Sequence, residues 1–331
     1  MILHLDKNTP NKIINSYVEN TSSFVNVKQE YIQLVNSSVN KNFPKELSPF
    51  VLQEFVFEND IQLASIQYKT HREIPIKHIS IGRNSPSLPL IMGPCSVEST
   101  EQINQVAQFL TSNRLSCIRA GAFKPRTSPY SFQGLEKKGL DILQETAKKK
   151  QLITFSEAKN AEHINQVINQ ADVVQIGTKS MYDQALLKAL GKTNKPVLLK
   201  RGFSSTLQEF IQAAEFILCG GNENVILCER GIRTFEPKTR FTLDLCSVAW
   251  IKEHINLPIV IDPSHALGKR YGIIDLSKAA VAMGADGLLI EVHPDPNSAL
   301  SDADQQIDFK VAKALINEIL PLVELNNKKL C

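Results

Sequence analysis

The feature that most constrains this chain is a rhythm that starts near residue 88, where short apolar runs begin to alternate with helical patterns. Continuous apolar runs of this length suit strands buried on both faces, as in a parallel sheet covered by helices. Eight are present, at residues 88–92, 116–119, 152–156, 173–176, 197–200, 225–228, 259–262 and 288–292. Between and after them, helical patterns run over 100–110, 135–149, 161–169, 185–190, 207–219, 243–254, 276–283 and 309–322. Eight strand-then-helix units in about 240 residues match an α/β chain folded as a (β/α)8 TIM barrel. The competing layout, an open doubly wound sheet, usually carries a glycine-rich fingerprint after its first strand. Here the first strand runs into GPCSVES, which has no such pattern.

Residues 1–80 differ in character, being rich in Asn, Ser and Lys, and read as a small α+β domain ahead of a barrel at 81–331. Residues 1–5 are strand-like, and Thr9 is placed to cap a helix opening at Pro10. Residues 24–35 carry strand-forming side chains, 47–57 suit a second helix and 61–68 another strand. The segment RNSPSLP at 83–89 reads as a linker.

A formal net charge of +3 gives no reason to expect nucleic acid or a membrane as a partner. No stretch approaches the roughly 20 apolar residues of a membrane span, and no signal peptide is visible, so the expected compartment is the cytoplasm. The six cysteines are scattered without a CxxC pair, which favours reduced thiols over a disulfide framework. Cys117, Cys219, Cys228 and Cys246 are expected in or near the core, and Cys331 in an exposed, frayed tail. His4, His71, His78 and His254 are expected at the surface, and Trp250 in packing.

In a barrel the active site forms where strands end and loops begin, and the reactive residues of this chain cluster there. One group is cationic: Arg119, Lys124, Arg126, Lys179, Lys200 and Arg230, with Thr127 and Ser128 as neutral donors nearby. So many positive charges at one mouth imply small, multiply charged anions between them. The alternative is that each base pairs with an acid on the rim, where Glu157, Glu229 and Asp262 also end strands. A second group is Cys95, His265, Glu291 and Asp302, which converge if the last strand closes against the first. A thiolate, an imidazole and two carboxylates suit a divalent metal ion such as Mn, Fe, Co or Zn, although a lone Cys or His at a strand end is more often structural.

At these motifs the chain resembles a known family. GPCSVES, RAGAFKPRTSPYSFQGL, QIG, PVLLKRGF, ILCERGIRTFE, DPSH and EVHPDP with ALSD occur in the order found in 3-deoxy-D-arabino-heptulosonate 7-phosphate (DAHP) synthases of type I, in the subgroup with a short N-terminal domain. The KPRTS segment separates these from 3-deoxy-D-manno-octulosonate 8-phosphate synthases, which carry a KANRS-like segment. The resemblance implies a metal-dependent condensation of phosphoenolpyruvate with erythrose 4-phosphate, the first step of the shikimate pathway to chorismate and the aromatic amino acids.

It implies Cys95, His265, Glu291 and Asp302 as metal ligands, and Arg119, Lys124, Lys200 and Arg230 as the phosphoenolpyruvate site. Arg126 and Thr127, with Ser128 beside them, match the erythrose 4-phosphate phosphate site, and Asp262 a position near that sugar's hydroxyls. Lys124 is the expected proton donor to the aldehyde oxygen, and His265 or Glu291 lie where a water is activated. The chain departs from the pattern at Lys179, where many relatives have Arg. The N-terminal pattern is similar to a ferredoxin-like domain that some relatives use for feedback inhibition by Tyr or Phe; the alternative is an oligomerisation or shielding element. Relatives are commonly homotetramers.

Overall fold

The computed structural model describes residues 1–21, 23–40, 42–124, 130–159 and 163–331. Eight parallel strands close on themselves: β8 (Leu90–Gly93), β9 (Cys117–Arg119), β10 (Ile153–Ala158), β11 (Val173–Ile176), β12 (Val197–Lys200), β13 (Val225–Glu229), β14 (Ile259–Ile261) and β15 (Gly287–Glu291). The outer helices are α2 (Thr100–Ser112), α3 (Glu136–Lys150), α4 (Ile164–Gln170), α5 (Gln184–Gly191), α6 (Leu207–Cys219), α7 (Leu245–His254), α9 (Ile273–Ala282) and α10 (Phe309–Leu325); a five-residue turn of helix, α8 (Pro263–Leu267), follows β14. Several helix starts are fixed by local chemistry. Thr206 and Glu209 form a reciprocal capping box on α6, and Asp308 caps α10.

Strand alternation decides what enters the barrel. Ile91, Cys117, Phe155, Val173, Leu198, Cys228, Val260 and Leu289 pack together inside it, while their neighbours Met92, Ile118, Val174, Leu199, Leu227, Ile261 and Leu288 pack outward under the helices. Two residues further along several strands, the same inward face carries Arg119, Glu157, Lys200, Arg230, Asp262 and Glu291. The lower interior is thus apolar and its last layer, at the strand ends, is charged. Gly93 makes this possible on β8. It adopts φ 150°, and a Cβ there would lie 2.1 Å from the Arg119 carbonyl oxygen. The opposite end is sealed by a hairpin, β5 (Glu73–Ile76) and β6 (Ile79–Gly82), whose Ile74, Ile76, Ile79 and Ile81 join the interior cluster.

The N-terminal unit holds β1 (Ile2–Leu5), α1 (Asn11–Asn20), β2 (Phe24–Val27), β3 (Ile32–Val35) and β4 (Val51–Phe55) in an antiparallel sheet ordered β2-β3-β1-β4. This is a ferredoxin-like strand arrangement in which the described residues of 36–50, with a 3-10 turn at Ser48–Phe50, stand where a second crossover helix would lie. The helix expected at 47–57 is therefore a strand. Buried β1 has two edges to satisfy, and β4 pairs with one of them from Ile2↔Phe55 to Leu5↔Val51. The strand expected at 61–68 is irregular, because its amides go elsewhere: the N–H groups of Gln62, Leu63 and Ala64 donate to the Glu215 carboxylate of α6 at 2.7, 3.2 and 2.8 Å. Thr9 does not cap α1; its hydroxyl donates to the Asp6 carbonyl, and the helix opens after Pro10.

Other expectations are corrected by packing. His4 is half-buried, stacked on Tyr31 and hydrogen-bonded to the Tyr68 hydroxyl. Cys246 is exposed, and Trp250 lies partly exposed against His254. The tail is not frayed. Strand β16 (Lys329–Leu330) pairs with β7 (Ser87–Leu88), and Cys331 packs on the barrel's interior cluster.

Candidate active site

The sequence DPSH builds one wall of the mouth. Asp262, at the end of β14, caps the turn behind it by accepting the His265 backbone N–H on Oδ1, and Pro263 supplies the first helical position. The turn folds the His265 ring back over Asp262, so that Nδ1 lies 2.7 Å from Oδ2. That carboxylate also accepts from Lys200 Nζ at 2.5 Å. The network places the ring proton on Nδ1, which donates it to the Asp262 carboxylate, and turns the Nε2 lone pair into the mouth. Burial opposes ionisation of Asp262, but His265 and Lys200 hold its carboxyl well below the usual range.

Nε2 of His265 faces Glu291 Oε1 at 3.4 Å and Asp302 Oδ2 at 3.9 Å. Cys95 Sγ lies 3.2 Å from Asp302 Oδ2, and ligand atoms of Cys95, Glu291 and Asp302 all lie within 4.8 Å of one another. The four residues come from the ends of β8, β14 and β15 and the loop before α10, and among the described residues that three-residue group is the one with metal-ligand spacing. Asp302 reaches it from a left-handed backbone conformation, φ 49°, which Asp tolerates better than most residues. Burial pushes the Cys95 thiol up to about 12, with Glu291 adding to the effect. The thiol therefore stays protonated until a cation displaces the proton. Burial also disfavours charge on Asp302, yet His265 and Lys124 keep it ionised. A soft thiolate, an imidazole and two ionised carboxylates fit a borderline divalent cation.

The expected bases divide into paired and unpaired. Arg119 donates to Glu291 Oε1 at 2.6 Å and to the Pro94 carbonyl, and Lys200 is held by Asp262. Arg201, next to it in sequence, spans Glu229 at 2.9 Å and Asp244 at 3.0 Å and is structural. Lys124 is buried and donates to Cys95 through the carbonyl oxygen at 3.0 Å and through sulfur at 3.1 Å. Burial alone would lower its pKa, but Cys95 and Glu157 keep it above the ordinary value and hence protonated. Arg230 is different. It is 3% exposed and stacked 4.4 Å from the Phe241 ring, and its Nε and Nη1 have no acceptor among the described residues. A buried guanidinium with free N–H groups is an anion receptor. Lys179 lies exposed on the 3-10 turn after β11, apart from this buried set. Arg126, Thr127 and Ser128 lie outside the described residues.

Three side chains escaped the sequence reading: Gln305, Gln306 and Arg240. Gln305 Nε2 donates to Glu291 Oε2 at 2.5 Å, Arg240 Nη1 donates to Gln305 Oε1, and Gln306 Oε1 accepts the Cys95 backbone N–H. The signal was faint, two adjacent amides three and four residues after Asp302.

A model of the DAHP synthetase I family matches residues 61–321. The chain belongs to that family. It is 48% identical over 235 residues to a phospho-2-dehydro-3-deoxyheptonate aldolase of Thermotoga maritima, covering 71% of this chain and 70% of the relative. A 2-dehydro-3-deoxyphosphooctonate aldolase of Geobacter sulfurreducens is 31% identical, covering 75% of this chain and 96% of the relative. The crystal structure of the Thermotoga maritima DAHP synthase superposes with a TM-score of 0.81 at 38% identity, over 100% of this chain and 99% of that one. A truncated form of the same enzyme covers 81% of this chain and 98% of its own, with a TM-score of 0.75 and 41% identity. As a member of the DAHP synthetase I family, the chain is a carbon–carbon bond-forming enzyme. No described helix is long and apolar enough to cross a membrane.

Proposed function

We propose that this DAHP synthetase I family member is a 3-deoxy-7-phosphoheptulonate synthase. It condenses phosphoenolpyruvate with D-erythrose 4-phosphate and water to give DAHP and inorganic phosphate, at the head of the shikimate route to aromatic amino acids. The observation that carries this reading is the unpaired, buried Arg230 at the same mouth as the Cys95, Glu291 and Asp302 group, which His265 faces through Nε2. An anion receptor and a cation site side by side suit a phosphorylated enol that must meet a phosphorylated aldehyde.

Arg230, Arg119, Lys124 and Lys200 bind phosphoenolpyruvate, with Lys179 contributing from the rim. Their charges offset the repulsion between two anionic substrates and hold the methylene carbon of one near the aldehyde carbon of the other. Arg126, Thr127 and Ser128 bind the phosphate of erythrose 4-phosphate, and Asp262 orients its hydroxyls. Cys95, His265, Glu291 and Asp302 would hold a divalent ion, which would supply Lewis acidity for the aldehyde carbonyl. Lys124, kept protonated, donates a proton to that oxygen as the new bond forms. His265 and Glu291 stand where a water is oriented toward the enol carbon that bears the departing phosphate.

The test is phosphate release with both substrates, with and without added Mn or a similar ion and after chelation. Turnover is expected with erythrose 4-phosphate and not with arabinose 5-phosphate, and chelation should abolish it until metal is restored. Full activity in excess chelator with a metal-free chain would remove the ion from this account. Preference for arabinose 5-phosphate would reassign the enzyme to the octulosonate reaction named for the 31% identical relative.

Within the expected domain of residues 1–80, the N-terminal sheet is a regulatory element that answers to Tyr or Phe. What supports this is its docking: Glu215 grips residues 62–64, and Glu223 gathers Lys28, Lys69 and Arg72 at 2.7, 2.9 and 2.6 Å, so the sheet leans on α6 of the barrel. A chain cut before Asn59 keeps the β5–β6 plug and should lose inhibition that the full chain shows; equal sensitivity in both would end the reading. A cytoplasmic homotetramer is the expected assembly, read by light scattering.

A further inference from the structure

Gln305 lies in the loop that carries Asp302 and is 2% exposed. Its backbone N–H closes the turn onto the Asp302 carbonyl at 3.2 Å, so the two side chains leave the same turn. Its amide touches three charged groups. Oε1 accepts from Arg240 Nη1 at 2.6 Å, and Nε2 lies 2.5 Å from Glu291 Oε2 and 3.5 Å from Asp302 Oδ2. A guanidinium has donors only, so the amide oxygen must face Arg240 and the NH2 must face the two carboxylates. The flip that usually leaves a glutamine ambiguous is forbidden here.

The chemistry of that contact is selective. A lysine or arginine in this place would neutralise the carboxylates and compete with a cation. The amide instead fixes Glu291 Oε2 with a hydrogen bond and leaves the negative charge in place. Glu291 is then held at both oxygens, by Arg119 on Oε1 and Gln305 on Oε2. Next in sequence, Gln306 is fully buried and ties the Cys95 backbone N–H at 2.9 Å to the Ser301 carbonyl at 2.7 Å. Arg240, which aligns the Gln305 amide, lies over the same Phe241 ring that supports Arg230.

We propose that Gln305, aligned by Arg240, is a positioning residue that presets Glu291 and Asp302 to receive a divalent cation and links that site to the loop supporting Arg230. The proposal rests on the metal-centre reading of Cys95, His265, Glu291 and Asp302. Partners one shell beyond the ligands commonly change metal affinity by roughly 10- to 100-fold.

The experiment is calorimetric titration of the metal-stripped full chain with Mn(II) and with Co(II), the latter also followed by its thiolate charge-transfer absorption. Gln305→Met, which keeps the volume and removes the amide's hydrogen bonds to Arg240, Glu291 and Asp302, should weaken binding by about 10- to 100-fold. The absorption band should persist, reached at higher Co(II), because Cys95 is still present. Arg240→Met, at an exposed position, frees the amide to rotate and should weaken binding about 3- to 10-fold, a fraction of the range for such partners. The double variant should bind no more weakly than Gln305→Met alone. A wild-type chain that takes up neither ion overturns the metal-centre reading and this inference with it. A wild-type chain that binds while Gln305→Met matches it within about twofold, or effects of the two substitutions that simply multiply, overturns this inference alone. Should Gln305→Met not fold, an Arg240→Met Kd equal to wild type overturns it as well.

Discussion

At the barrel mouth, Asp262, Glu291 and Asp302 face Lys200, Arg119 and Lys124 around the His265 ring, and all three acids are held below their ordinary values despite burial. On the seam between the N-terminal sheet and α6, Glu215 is just as buried but faces chiefly the amides of residues 62–64. Burial pushes its carboxyl up to about 7, against the pull of those hydrogen bonds. The same side-chain chemistry thus does opposite things. Where full positive charges converge, acids stay ionised and can hold a cation; where amide dipoles predominate, an acid becomes a clasp that is partly neutral near physiological pH. Glu223, a few residues on, shows that charge is the deciding factor. It is on the same seam, yet Lys28, Lys69 and Arg72 overcome burial and hold it well below the usual carboxylate range.

The comparison breaks most sharply at Cys95. Cys95→Ala removes a proposed ligand without adding or removing charge in the metal-free chain, so phosphate release in the presence of Mn should fall by roughly 10³-fold, about 4 kcal/mol. Its metal-free Tm should stay close to wild type, and retained turnover would show that the mouth does not need the thiol. Next comes the seam. The folded-state value of Glu215 lies above its ordinary 4.5. Its contribution to stability is therefore full below that pH and lost as pH rises through about 7. Between pH 5 and 8, wild type should lose roughly 2.5 kcal/mol relative to Glu215→Gln, read as the difference between their unfolding midpoints. Parallel stability curves would mean that Glu215 is ionised throughout.

Arg230→Lys sharpens the comparison from the other side, since it keeps the charge and removes the planar fork. The KM for phosphoenolpyruvate should rise about 10- to 100-fold, the loss of one or two charged hydrogen bonds. An unchanged KM would remove Arg230 from the anion site. Lys179→Arg, at the exposed rim, should give the smallest effect, a KM lowered by a few-fold through a bidentate contact. A KM that is unchanged or higher would separate Lys179 from the substrate.

Much of the barrel was legible because its strands are apolar on both faces. Residues 173–176 and 197–200 were read with the bounds they have, and the other strands within one or two residues. The site was legible for a related reason: with period two, a charged residue two places beyond an inward apolar one must point into the mouth, as Lys200 does beyond Leu198. The N-terminal unit was read less well. Residues 51–55 are a strand because β1 has an edge to fill, and 61–68 are irregular because Glu215, some 150 residues away, takes their amides. No local pattern records a partner that distant.

By itself the sequence determined the closed sheet, the residues at its mouth and the family they announce, since alternation and turn chemistry act over a few residues. Tertiary structure alone decided which bases are already paired, which way the Gln305 amide points, and why Glu215 sits near neutrality where Glu291 does not. Those outcomes depend on what faces a buried charge, and the facing groups come from different strands and loops.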